Sequence, residues 1–229
     1  MYYDPTYFLV LIGLVVTMFA SSHVKSTYAK YAKVRSATGM TGAQAAQKIL
    51  QMSGIYDVTV QHVSGTLTDH YDPAKKVVNL SEATYGSDSV AAVGVAAHEC
   101  GHVLQHHTGY FPLQLRTALV PVANIGSSIG LPIVFLSIIF GLSDNLARIG
   151  ILLFSFGVLF QIVTLPVEFD ASARALRMMG DYGLLATEEV GQSRKVLNAA
   201  AMTYVAAAFS AVLQLLRLIM LTNGSRRRR

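Results

Sequence analysis

Within residues 90–107, VAAVGVAAHECGHVLQHH, the run His98-Glu99-Cys100-Gly101-His102 sets two imidazoles four residues apart, with a carboxylate beside the first. On a helix, residues four apart share one face about a turn apart, so His98 and His102 can offer nitrogens to a single metal ion. Glu99 falls in the general-base position of a zinc peptidase, from which a carboxylate reaches a water on the metal. The flanks suit a helix. Ser87 and Asp88 offer N-caps, Ala is abundant up to position 97, and Gly109 follows as a C-cap. His106 and His107 lengthen the cluster, but eight residues beyond His98 the helix has rotated part-way off the ligand face, which places them beside the site and not in it.

A catalytic zinc usually takes three protein ligands and keeps a fourth position for water. The metzincin continuation HExxHxxGxxH fails, because Gln105 stands where Gly is required and Thr108 where the last His belongs. The third ligand must come from farther along the chain. Residues 165–176, LPVEFDASARAL, follow a long apolar run, and there Glu168 and Asp170 open an expected helix. Acidic residues favour the first turn of any helix, so both carboxylates also have a purely structural reading. The need for one more donor favours Glu168 as ligand, with Asp170 as its competitor.

Three segments together, AAHECGHVLQH, the upstream TDHYDPAKKVVNLSE at residues 68–82, and the downstream PVEFDASARAL, resemble the YugP-like family of membrane zinc metallopeptidases. That family is similar to the HtpX-like and CAAX-processing membrane peptidases, in which HExxH is completed by a Glu one or more membrane spans later. The resemblance covers nearly the whole chain. It implies His98 and His102 as zinc ligands, Glu168 as the third ligand and Glu99 as base. The HtpX-like pattern carries an Asp four residues after its ligand Glu, where this chain has Ser172. The orienting partner of His98 or His102 is then expected elsewhere, with Asp170 as the nearest candidate.

The elements that must position these residues are those of a membrane protein. Of 229 residues, 52% are hydrophobic and 14% charged, and the mean hydropathy of +0.45 exceeds that of an ordinary soluble domain. A single cysteine, Cys100, excludes an intramolecular disulfide; about 200° around the helix from His98, it is expected to pack. Four apolar runs are long enough to span: residues 6–22, 117–143, 149–167 and 197–221. The first has a cleaved signal peptide as its competing reading, but it opens on Asp4 and tyrosines and lacks a basic leader. Pro121, Pro132, Gly126 and Gly130 predict bends or close packing in the second.

Residues 23–116 are expected to form a membrane-surface catalytic region. Basic residues at 25–35 precede a short helix at 41–52, capped by Thr41, striped by Ala45, Ile49 and Met52 and ended by Gly54. Strands at 58–63 and 76–80 are expected to pair as a hairpin through the loop at 64–73, and the resemblance suggests residues 77–80 as an edge that holds substrate backbone. His70, Asn79 and Arg174 are candidates for oxyanion contacts, whereas Asp72-Pro73 reads as turn chemistry. Residues 168–195 carry the third ligand and a connecting segment, and 222–229 form a basic tail.

The predicted fold class is therefore mainly α and integral to a membrane: four transmembrane helices with a small α+β zincin-like catalytic region. Four spans place residues 23–116 and 168–195 on one side. That side has nine basic residues near the membrane (Lys25, Lys30, Lys33, Arg35, Arg116, Arg174, Arg177, Arg194 and Lys195) against five on the other, Arg148 and the run from Arg226 to Arg229. The imbalance predicts a cytoplasmic active site, and the membrane is expected to be a bacterial plasma membrane. The predicted activity is zinc-dependent endopeptidase cleavage, with Zn2+ as cofactor, a peptide or protein substrate, contact with membrane lipid, and no nucleic acid. The alternative is a catalytically inactive membrane scaffold that keeps a zincin-like site, against which the intact Glu99 speaks. A metal transporter using His98, His102 and His106 would need ionisable groups inside the spans, and the second and third runs have none.

Overall fold

The computed structural model describes residues 6–226 of the chain. Its elements are α1 (Tyr7–Tyr31), α2 (Gly42–Met52), β1 (Thr59–Val63), β2 (His70–Asp72), β3 (Val77–Ser81), α3 (Glu82–Tyr85), α4 (Val90–His107), α5 (Phe111–Ile125), a π-helical turn (Gly126–Gly130), α6 (Leu131–Ile139), α7 (Asp144–Asp181) and α8 (Thr187–Arg226). Among the described residues, four helical stretches are long and apolar enough to cross a membrane: Tyr7–Tyr31, Phe111–Ile139, Asp144–Asp181 and Thr187–Asn223. The third and fourth contain the apolar runs 149–167 and 197–221 and extend past them, because apolarity marks where lipid is tolerated while helix formation continues until a breaker. The first begins at Tyr7 and runs on to Tyr31, whereas the second starts earlier than expected, at Phe111, and stops at Ile139, short of the expected end at 143. The basic run from Arg227 to Arg229 lies outside the described residues.

Two compact units are formed, one from Met1–Ser21, Phe111–Pro166 and Met202–Arg229, the other from Ser22–Tyr110 and Val167–Ala201. In the first, small residues bring helices together. A Cβ on Gly130 would meet the Gly150 carbonyl at 2.8 Å, and one on Gly13 would meet the Ser210 hydroxyl at 2.5 Å, so both crossings depend on glycine. The π-helical turn falls between Pro121 and Pro132, where the backbone ladder is already interrupted. Arg217, within α8, lies over the rings of Tyr7 and Phe135 at 5.1 and 5.6 Å.

The second unit packs α2, α4 and the later part of α7 against a three-stranded sheet, around Ile49, Val78, Leu80, Val93, Ala97, Val103, Ala175 and Met179. In α2, Thr41 and Gln44 form a reciprocal capping box, and Gly54 follows the helix at φ +70°. Ala45 and Ile49 are fully buried, but Met52 is 57% exposed; the inward stripe continues through Leu50 instead.

The expected hairpin is replaced by a mixed sheet in the order β1-β3-β2. β2 pairs antiparallel with β3, His70 opposite Asn79, through a tight turn in which Asp72 Oδ1 accepts from the Ala74 and Lys75 amides and Lys76 sits at φ +55°. This short connection takes one side of β3. β1, two reversals earlier, runs in the same direction as β3 and pairs parallel on its other side, Thr59 opposite Val77. β3 is thus the central strand, not the free edge expected at residues 77–80: β1 pairs with it over 77–81 and β2 over 77–79.

Candidate metal centre

The N-cap of α4 is Ser89, not Ser87 or Asp88: its side chain accepts from the Ala92 amide at 3.2 Å, while Asp88 is engaged by Arg35 at 2.6 Å. The helix ends at His107, and Gly109 just beyond it adopts φ +63°. α7 departs further from expectation. Pro166 does not break it, and Glu168 and Asp170 lie well inside a continuous helix of 38 residues. A first-turn explanation of the two carboxylates is thereby removed, since Asp144 occupies that turn.

Inside α7, Glu168, Ala171, Ser172 and Ala175 recur at the spacing of one helical face, and all four are buried. α4 presents the matching face, His98, Gly101, His102 and Gln105. The two run antiparallel: His98 meets Ser172, Gly101 meets Ala171, His102 meets Glu168, and Gln105 meets Val167. Gly101 permits the approach, for a Cβ there would stand 2.5 Å from the Ala171 carbonyl. On the opposite side of α4, Cys100 is fully buried against the Ala46 carbonyl, and burial pushes its thiol pKa up, which suits packing and not reaction.

His98, His102 and Glu168 bring their donor atoms within 4.8 Å of one another. Glu168 Oε2 is 3.3 Å from His98 Nε2 and 3.6 Å from His102 Nε2. A direct charge-assisted bond would be about 2.7–2.9 Å long. Donors arranged tetrahedrally around zinc at ~2.0–2.1 Å stand about 3.3–3.5 Å apart, and the two separations from Glu168 are close to that figure. The far nitrogens are held as metal ligands require: His98 Nδ1 is 3.1 Å from Ser172 Oγ, and His102 Nδ1 is 3.0 Å from Gln105 Oε1. The two rings meet edge to face at a centroid separation of 4.8 Å. Glu168 is closed in at 3% side-chain exposure, whereas His98 and His102 keep 15% and 13%, leaving an open side for water or substrate.

The electrostatics also favour a cation. Burial disfavours the His102 imidazolium, but Glu168 and Glu99 outweigh it and raise the net pKa above the ordinary value. Glu99 itself is 8% exposed. Asp170, the rival ligand, is turned away; its Oδ2 accepts from Gln105 Nε2 at 2.9 Å and from Arg174 Nε at 2.6 Å. It therefore orients neither imidazole directly. Sequence reading missed Gln105, noted only as a failed metzincin Gly, because its full burial and its partners on α7 come from the fold.

Of the remaining candidates, His70 and Asn79 bond one another, Nε2 to Nδ2 at 3.1 Å, and Arg174 is committed to Asp170 and to the face of Tyr110. Asp72 serves its turn, as read. His106 packs edge-on against Tyr71.

A family model described as "Putative neutral zinc metallopeptidase" matches residues 6–223. The chain is 47% identical over 218 residues, 95% of its own length and 96% of the relative's, to the "Putative membrane protease YugP" of Bacillus subtilis (strain 168). No solved structure matches it. With the family model extending from the first apolar helix to the last and enclosing the three-donor cluster, the chain belongs to this zinc metallopeptidase family.

Proposed function

We propose that the chain is an integral-membrane zinc endopeptidase in which His98, His102 and Glu168 hold the metal and Glu99 is the general base. The observation that carries the reading is the convergence of three donors within 4.8 Å of one another, with Glu168 at 3.3 and 3.6 Å from the two imidazoles and Glu99 next to His98 in the HExxH run. A zinc ion held there supplies a Lewis acid that acidifies water towards a pKa of ~7 and polarises a scissile carbonyl. Glu99 accepts the proton of the attacking water and delivers it to the leaving amine. The partly exposed imidazoles of His98 and His102 face the peptide, while the buried Glu168 closes the rear of the site.

Glu168 follows the apolar run 149–167 in the same helix without a break, so the reaction takes place within about a turn of the last apolar residue. Membrane proteins, or loosely folded segments at the bilayer surface, are the fitting substrates. The excess of basic residues in 23–116 and 168–195 supports a site on the cytoplasmic side of a bacterial plasma membrane.

The test is cleavage of an unfolded protein by the full chain in detergent, with zinc measured in parallel, for wild type and Glu99→Gln. Wild-type cleavage that disappears in Glu99→Gln with zinc retained supports the assignment. Turnover surviving in Glu99→Gln contradicts it, and zinc-loaded wild type that never cleaves points to the inactive scaffold.

A further inference from the structure

The buried amide of Gln105 makes three hydrogen bonds, two to α7 and one to His102 of its own helix, none of which involves a metal-binding atom. Its Nε2 donates to the Val167 carbonyl at 2.7 Å and to Asp170 Oδ2 at 2.9 Å. Its Oε1 lies 3.0 Å from His102 Nδ1. A peptide carbonyl has no hydrogen to give, so the amide can satisfy Val167 in only one orientation, with Nε2 towards it. Oε1 must then face the imidazole. Since Oε1 can only accept, Nδ1 must carry the hydrogen, and the lone pair of His102 is left on Nε2, the atom 3.6 Å from Glu168. The side chain is 0% exposed, so water does not substitute for any partner. Asp170 fixes the amide from the far side and is itself gripped by Arg174 at 2.6 Å.

From this we infer that Gln105 is a positioning residue that sets the tautomer and ring angle of His102, and that Asp170 acts on the metal site only through it. The inference rests on the zinc-peptidase reading above. His98 has no equivalent, because the Ser172 hydroxyl can either donate or accept.

The test measures zinc affinity by chelator competition, together with the visible spectrum of the Co2+ form, on the full chain in detergent. The variants are Gln105→Met, which keeps the volume and removes both polar atoms, Asp170→Ala, and the two combined. Gln105→Met is expected to weaken zinc binding about 10 to 100-fold, as for loss of an outer partner of a ligating His, and to shift the Co2+ bands. Asp170→Ala should lose no more than that, and the double variant no more than Gln105→Met alone, because the two act in series. Wild-type affinity and spectrum in Gln105→Met, or losses that multiply in the double variant, overturn the inference. Should Gln105→Met fail to fold, Asp170→Ala decides: weakened binding with a shifted spectrum supports the relay, and wild-type behaviour overturns it. A wild type that takes up no zinc refutes the metal site itself, an outcome distinct from failure of the relay.

Discussion

His98 and His102 lie one turn apart on α4 and share Glu168, but their outer nitrogens are held by groups of different character. On the His98 side a single hydroxyl, Ser172 Oγ, makes the contact, and it can rotate and exchange donor for acceptor. On the His102 side an amide is locked between a peptide carbonyl and a carboxylate. One imidazole is thus held adaptably and the other rigidly. In the proposed metal site, rigidity at His102 would define where an ion sits, and tolerance at His98 would let the second imidazole follow it.

The largest effect is expected from the ligands themselves, where the difference between the two sides should vanish. His98→Ala and His102→Ala should each lose most bound zinc, as read by metal analysis of purified protein. Retention of stoichiometric zinc in either would remove that residue from the site. Next is Glu99→Gln, predicted to leave zinc in place and to lower turnover by the ~10² to 10⁴-fold typical of a missing general base; a small loss of rate would deny it that role.

Gly101→Ala attacks both sides together by pushing α4 away from the Ala171 carbonyl. A cost of about 1–3 kcal/mol in stability is expected from such overpacking, with weaker metal binding, measurable by thermal unfolding with and without zinc. An unaltered melting temperature would show that the helices are not held at contact distance. The smallest effect is assigned to Ser172. Ser172→Ala should weaken zinc less than Gln105→Met does, and Ser172→Asp should be tolerated, since a carboxylate can still accept from His98 Nδ1. If Ser172→Ala proved the more damaging of the two, the asymmetry would be inverted.

How far this was legible depends on how local each interaction is. HExxH needs only one helix, so His98, Glu99 and His102 could be read from spacing, as could the capped α2 and the apolar runs. Glu168 was reachable because a zinc site lacks a donor without it. Its setting was not: Glu168 and Asp170 were expected to open a new helix, yet α7 continues past Pro166 and holds both in its interior. Gln105 reaches partners 62 and 65 residues away, which no local pattern reveals. Ser172 was set aside as a missing carboxylate although its hydroxyl reaches His98. In the sheet, β2 is only three residues long, and without it the two longer strands look like a hairpin when they are parallel neighbours.

The central claim is that Glu168 completes the metal site while Asp170, two residues on, remains outside it. Zinc stoichiometry of the full chain, purified with zinc in excess, tests this most directly in wild type, Glu168→Ala and Asp170→Ala. The prediction is close to one zinc per chain in wild type and Asp170→Ala and almost none in Glu168→Ala. Wild-type zinc in Glu168→Ala, with loss in Asp170→Ala, would contradict the ligand assignment.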